Sequence, residues 1–164
     1  MQINPNNDGI DHINVYSKGK TALGRMLTNM ADIGFDHPEH GKFRSMESFW
    51  YWYVTGRKHD GLKLMKPFEA KKEGKELLGD SGEVLSEEDK KEIIKAIRLK
   101  IQQNKSKFFD LMRDSDIPFK HYYWYGNENG YKVIELPQYE WMIKELERIR
   151  HIIKTKNLRV GESG

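Results

Sequence analysis

The sequence predicts an α+β fold, mostly helical, in a single domain with a small β-sheet. Apolar residues recur at helical spacing at Ile93, Ile97 and Ile101. Alternating and aromatic residues flank a turn rich in glycine and asparagine over residues 121–134, which is typical of a hairpin. The 164 residues are enough for one domain with a substantial core.

The first half of the chain opens with a short strand, predicted over residues 13–17 from its alternation and β-branched residues. Residues 34–41 are polar and contain a proline, which predicts a loop or a hairpin. An aromatic helix follows over about residues 46–55 and ends at Gly56. Another helix begins at Pro67, because proline suits the first helical position.

The second half begins with a glycine-rich segment, residues 78–85, for which we expect a mobile loop. Ser86 and Asp89 then form the pattern of a capping box, with the shorter acid in the third position. The remaining predicted elements are a helix break at Asn104 and Lys105, a short helix with Phe108, Leu111 and Met112, strands over residues 121–125 and 131–134, and a last helix after Pro137. We expect residues 13–155 to form the domain, after an N-terminal extension of residues 1–12 and before a flexible tail of residues 156–164.

Composition excludes several classes of protein. The chain has no cysteine, so it has neither a disulfide framework nor a thiolate metal site, which suits a reducing cytoplasm. No apolar run approaches the roughly 20 residues of a membrane span, and the first residues lack the pattern of a signal peptide. A net charge of +3, from 28 basic and 25 acidic residues, predicts no footprint for duplex DNA.

Standard motifs are scarce, and no cofactor is expected. There is neither a phosphate-binding loop nor a dinucleotide glycine fingerprint. His37 and His40 have the spacing of a zinc ligand pair, but a loop broken by Pro38 does not fix ligand geometry, so no metal site is predicted. The lysines at positions 66, 71, 72 and 75 are most simply the solvated face of a helix.

The most informative segment is residues 43–53, in which Glu47 precedes an aromatic run at the start of a helix. A carboxylate in that position is stabilised by the positive end of the helix dipole. Flat rings such as that of Trp50 can stack on a base. An anion among rings suits a nucleoside pocket, although a core helix with a capping acid is the competing interpretation.

Six short motifs follow one another between about Ile13 and Arg150: Ile13-Asn14-Val15-Tyr16-Ser17, Thr28-Asn29-Met30, Met46-Glu47-Ser48-Phe49, Ala70-Lys71-Lys72-Glu73-Gly74 after Pro67, Ala96 with Lys100-Ile101, and Tyr123-Trp124 followed by Gly126. In their order, these motifs resemble those of the NADAR, or YbiA-like, N-glycosidase family. The family's motifs are a strand of the form Ile-Asn-Phe-Tyr-Ser, a Ser-Asn-Phe loop, Ser-Glu-His-Tyr before a helix, Ala-x-x-x-Gly after a proline, Ala-x-x-x-Lys-Phe, and a Tyr-Trp-Gly turn.

The resemblance implies a YbiA-like fold and cleavage of N-glycosidic bonds in ADP-ribose-type conjugates. It implies Glu47 as the catalytic carboxylate, because such hydrolysis passes through an oxocarbenium-like state that an anion stabilises. The other site residues it suggests are Asn29 for ribose hydroxyls, Arg25 for a phosphate, Trp50, Tyr123 and Trp124 for stacking, and Gly126 and Asn127 at the turn.

The chain also departs from the family pattern. Tyr51, Trp52 and Tyr53 replace the usual glutamine and lysine, and Asn127 stands where the family has an acid. The chain is therefore expected to be a divergent member, related to phage or toxin–antitoxin proteins. Its partner would be a nucleotide-type small molecule or an ADP-ribosylated nucleic acid.

Two other function classes remain open. The first is a nucleotide-binding module that sequesters an ADP-ribose-derived or NAD-derived signal without turnover. The second is an aromatic-rich domain that binds proteins or single strands. Glu47 discriminates between enzyme and binding module, because a pure binder needs stacking and hydrogen bonds more than it needs a carboxylate.

Overall fold

Six α-helices and six short strands form the main regular structure of the residues described by the computed structural model, 2–82 and 84–160. The predicted α+β class, mostly helical, is confirmed, but in place of the one small β-sheet expected, the described strands form three two-stranded sheets. In chain order the elements are β1 (Ile13–Asn14), α1 (Ala22–Leu27), β2 (Phe35–His37), β3 (Gly41–Phe43), α2 (Met46–Val54), α3 (Pro67–Leu78), α4 (Glu87–Gln103), α5 (Lys105–Arg113), β4 (Phe119–Lys120), β5 (Tyr122–Asn127), β6 (Gly130–Glu135) and α6 (Glu140–Thr155).

The chain divides into two compact units. The central unit runs from residue 29 to residue 105, and the terminal unit consists of the two flanking arms, up to residue 28 and from residue 106. The single domain expected over residues 13–155 stays a prediction. Among the described residues, no helix has the length and apolar character needed to cross a membrane.

Helix α2 is the core of the central unit. Its N-terminus has a capping box, in which the side chains of Ser45 and Ser48 each accept the backbone N–H of the other at 3.1 Å. Both serines are fully buried, so these bonds satisfy donors that water does not reach. The aromatic rings that follow, Phe49, Trp50, Tyr51 and Trp52, are all buried. The sequence therefore places its densest aromatic cluster in the middle of this unit.

Two further elements cover α2 in the central unit. Helix α3 packs on it closely because Gly74 has no side chain and a Cβ there would overlap the Tyr51 ring. Helix α4 lies against both α2 and β2 and buries Ile93, Ala96 and Ile97. Its predicted capping box is confirmed: Ser86 accepts the N–H of Asp89, which in turn accepts the N–H of Ser86.

The terminal unit is joined by pairing between its two arms. Strand β1 runs parallel to β4, with Ile13 opposite Phe119. The buried Asn14 side chain continues this link, because its amide donates to the Tyr122 carbonyl at 3.0 Å and accepts the Tyr122 N–H at 3.1 Å. Helix α6 packs on β4, where the buried Arg150 donates to the Ile117 carbonyl at 2.7 Å.

Several sequence-based boundaries need correction. The strand predicted over residues 13–17 contains only residues 13–14, because its partner β4 is itself two residues long and has no signal in the sequence. Of the two alternatives for residues 34–41, the hairpin is right, formed by β2 and β3. The later hairpin has longer strands and a tighter turn than predicted, because the Asn127 side chain accepts the Asn129 N–H at 2.9 Å and closes the turn early.

The remaining predictions concern the loop and the tail. Helix α3 extends to Leu78, and a short 3-10 turn follows over Gly79–Ser81, so the expected loop is shorter at its start. Glu83 in that loop and residues 161–164 of the expected flexible tail lie outside the described residues. The predicted helix break at Asn104 is confirmed, and the last helix begins three residues after Pro137.

Candidate functional site

Glu47 is the second residue of α2 and its side chain is half-buried. It is the acidic residue in the first turn of this helix, where unpaired backbone N–H groups give a partial positive charge. That field favours the carboxylate form. The buried capping box of Ser45 and Ser48 on either side fixes the backbone that carries it.

Asn29 lies directly against this helix start. The Glu47 N–H donates to the Asn29 carbonyl oxygen at 3.0 Å, although the two residues are 18 positions apart in the chain. One of the donors at the helix N-terminus is thereby satisfied by Asn29, the residue that the family resemblance suggests for ribose hydroxyls. The structure thus brings two of the predicted site residues together within the central unit.

Trp50 belongs to the core of this unit, with 4% of its surface exposed. A ring buried to this extent packs against protein and adds to the stability of the helix. Its neighbour Trp52 is equally buried and donates its indole N–H to Asp60 at 2.9 Å. Packing is therefore the account of Trp50 that its burial favours.

The other predicted site residues belong to the terminal unit. Arg25 is exposed at the end of α1, where its guanidinium donates to the Gly19 carbonyl at 2.8 Å. The remaining four lie along β5: Tyr123, Trp124, Gly126 and Asn127.

Along β5 the side chains alternate between two faces. The Tyr123 ring lies 5.3 Å from that of Tyr16, and Trp124 is half-buried opposite Val133. Gly126 has a φ of 118°, and a Cβ there would overlap the Gly130 carbonyl, so the glycine is required by the hairpin itself. Asn127 closes the turn. The glycine of the Tyr-Trp-Gly pattern is thus required by the hairpin, whereas Trp124 is only partly buried.

Sequence reasoning gave Lys100 no role, although it is a distinctive titratable group of the central unit. Its side chain is on the buried face of α4 beside Ala96 and Ile97, with 2% of its surface exposed. This burial lowers the pKa of Lys100 to about 7. Such an amine is partly neutral at pH 7, but with 2% of its surface exposed it does not face a substrate, so its titration bears on stability. In the sequence, Lys100 stands out only as a lysine within an isoleucine stripe and as part of the Ala-x-x-x-Lys-Phe counterpart.

The His37 and His40 pair does not form a metal site. The imidazole Nδ1 of His37 accepts the backbone N–H groups of Glu39 at 3.1 Å and His40 at 3.3 Å. The proton must then be on Nε2, which is buried without a hydrogen-bond partner, so neither nitrogen offers a lone pair to a metal. Among the residues that the structure describes, no group of three or more His, Asp or Glu side chains could hold a metal ion.

An open groove of about 570 Å³ lies elsewhere in the central unit. Its lining includes Arg44 and Asp32, which form two hydrogen bonds of 2.9 Å with each other. This pairing lowers the pKa of the Asp32 carboxyl group. Neither Glu47 nor Asn29 lines this groove, so it is not the predicted site.

Comparison with known proteins adds no assignment: no family model matches the chain, and neither a curated protein nor a solved structure matches it significantly.

Proposed function

We propose that this chain is a NADAR-like hydrolase of YbiA-like fold that cleaves an N-glycosidic bond in an ADP-ribose-type or ribosylated nucleotide. The observation that carries the proposal is the position of Glu47. It is half-buried in the first turn of α2, with its backbone bonded to the Asn29 segment. The absence of cysteine supports a cytoplasmic location.

The chemistry follows from that position. As the bond between the anomeric carbon and the base nitrogen breaks, the base takes the bonding electrons and positive charge develops on the sugar. The Glu47 carboxylate stabilises this charge and accepts a proton from the attacking water. A base linked through a neutral nitrogen, as in ADP-ribosylated guanosine, takes up a proton as it departs, whereas the nicotinamide of NAD leaves as a neutral molecule without one. In both cases hydrolysis yields a free base and a ribose hydroxyl.

The test compares Glu47→Gln with the wild type on NAD, ADP-ribosylated guanosine and cyclic ADP-ribose, with products identified by mass spectrometry. The variant keeps the shape of the side chain and removes its charge, so turnover should fall by about a hundredfold or more, with folding nearly intact. Glu69→Gln is the matched control, because Glu69 is an exposed acid in the first turn of α3. Unchanged turnover in Glu47→Gln would assign the chemistry to another residue.

Ligand binding separates this proposal from the sequestering module. A wild-type protein that binds one of these nucleotides tightly but never releases a free base would favour sequestration. The stacking role suggested for Trp124 has its own test: we expect a bound nucleotide to quench tryptophan fluorescence and Trp124→Ala to weaken binding by about ten- to a hundredfold. A variant that melts far lower, with unchanged affinity in its folded fraction, would make Trp124 a packing residue instead.

A further inference from the structure

Helix α3 exposes an aromatic ring among lysines. Phe68 has 67% of its surface exposed, although it belongs to a helix whose buried face, with Ala70 and Gly74, packs on α2. Its neighbours along the helix surface, at positions i+3, i+4 and i+7, are all lysines: the half-buried Lys71 and the exposed Lys72 and Lys75. We call these four residues the Phe68 stripe. It spans about 10 Å along the helix.

The lysines of the stripe are available to a partner. None of them forms an ion pair with a described residue, although glutamates lie on the same helix. On α6, by contrast, Arg148 and Arg150 are paired with glutamates three positions before them. An exposed ring costs free energy in water and gains from a flat apolar partner. The stripe therefore combines an exposed aromatic ring with three lysines that have no ion-pair partner among the described residues.

The arrangement of charge favours one class of partner. Glu69, Glu73 and Glu76 occupy the other flank of α3, at about 100° per residue around the helix. A membrane surface is broad and would meet these glutamates as well as the lysines. A single nucleic-acid strand is narrow enough to follow the lysine side, and its unpaired bases present free faces to an aromatic ring. Duplex bases are stacked and offer no such face.

We propose that the Phe68 stripe binds single-stranded nucleic acid, with a base stacked on Phe68 and phosphates contacting Lys71, Lys72 and Lys75. The proposal goes beyond the hydrolysis proposed above, because an unmodified strand is sufficient to test it. Its success or failure therefore says nothing about Glu47. Combined with that hydrolysis, the stripe would direct the enzyme to a modification on a strand in preference to a free nucleotide.

The experiment measures fluorescence anisotropy of a dye-labelled oligothymidylate strand with the full chain over a series of salt concentrations. Three phosphate contacts predict a log–log dependence on salt with a slope of about −2. The triple variant K71Q/K72Q/K75Q should weaken binding at least tenfold and bring the slope close to zero. Phe68→Ala should weaken binding by about five- to a hundredfold with the slope unchanged.

The matched control is K90Q/K91Q/K95Q on α4, which removes the same charge from the central unit. It should keep its affinity within about twofold, and thermal melts should show that all variants fold. Equal losses in both triple variants would reduce the effect to net charge and overturn the proposal. Absence of binding to the strand, or binding to anionic phosphatidylserine vesicles in place of it, would also overturn it.

Discussion

The buried imidazole of His37 shows how single residues set the response of this protein to pH. Burial, followed by the positive charge of His40 and Lys95, lowers the pKa of His37 below its ordinary value of 6.5, while Glu39 and Glu92 act in the opposite direction. Protonation would also take the Nδ1 lone pair that accepts two backbone N–H groups. The folded protein therefore resists a proton that the unfolded chain accepts.

We expect the free energy of unfolding to fall as the pH drops below about 6.5, because the unfolded chain then binds more protons than the folded one. His37→Asn keeps an acceptor for the two N–H groups and should make this fall shallower. Burial also lowers the pKa of His121, so part of the fall should remain. Urea denaturation between pH 5 and pH 7 is the measurement. His151→Gln, at an exposed position, is the control and should leave the slope unchanged.

Lys100 makes the free energy of unfolding depend on pH in a second range, above neutral pH. Burial lowers its pKa from 10.5 to about 7, so over that range the unfolded chain binds a proton that the folded protein releases, and stability should rise with pH. Between pH 7 and 9, below the titration of tyrosine, the gain is at most about 1.4 kcal/mol per pH unit. Lys100→Met should abolish this slope, whereas Lys91→Met at an exposed position should keep it. A slope that persists in Lys100→Met would assign it to other groups.

At the scale of elements, a sequence-based prediction agrees with the structure when the residues that form the feature are close together in the chain. The capping box of Ser86 and Asp89 and the helix break at Asn104 were predictable, because their residues act within one turn of the chain. Strand β4 was not, because a two-residue strand has no periodicity and exists only through its distant partner β1. The same distinction holds at the candidate site. Glu47 stands out as an acid at a helix start, whereas Lys100 is exceptional only because of what surrounds it.

The contact between α2 and α3 depends on Gly74. In an isolated helix, alanine would be favoured over glycine by about 1 kcal/mol. Here its Cβ would overlap the Tyr51 ring, and overpacking of this kind costs about 1–3 kcal/mol. We therefore expect Gly74→Ala to lower the melting temperature despite its better helix propensity. Gly61→Ala is the control, because a Cβ there has no neighbour within 4 Å. A higher melting temperature for Gly74→Ala would show that Tyr51 moves aside at little cost.

At the scale of the whole molecule, the terminal unit depends on contacts between residues that are far apart in sequence. Asn14 is fully buried, and its side chain bonds to both the backbone carbonyl and the backbone N–H of Tyr122. The Nε2 atom of His12 lies 2.5 Å from the Tyr122 hydroxyl oxygen. Asn14→Ala removes two hydrogen bonds and leaves buried groups unsatisfied, so we expect a loss of about 2–4 kcal/mol in urea denaturation. Asn7→Ala, which removes an exposed bond to Asp11, should cost less than about 1 kcal/mol.

The pairing of β1 with β4 also determines when each unit can form during synthesis. Residues 29–105 of the central unit are contiguous, so they can fold as soon as they leave the ribosome. Ile13 of β1 can pair with β4 only after Phe119 has been synthesised, more than a hundred residues later. At about 5–20 residues per second the first arm remains without its partner strand for roughly 5–20 seconds. We therefore expect the nascent chain to carry a folded central unit while the arm up to residue 28 is still unpaired. During that time this arm is the part accessible to chaperones and proteases.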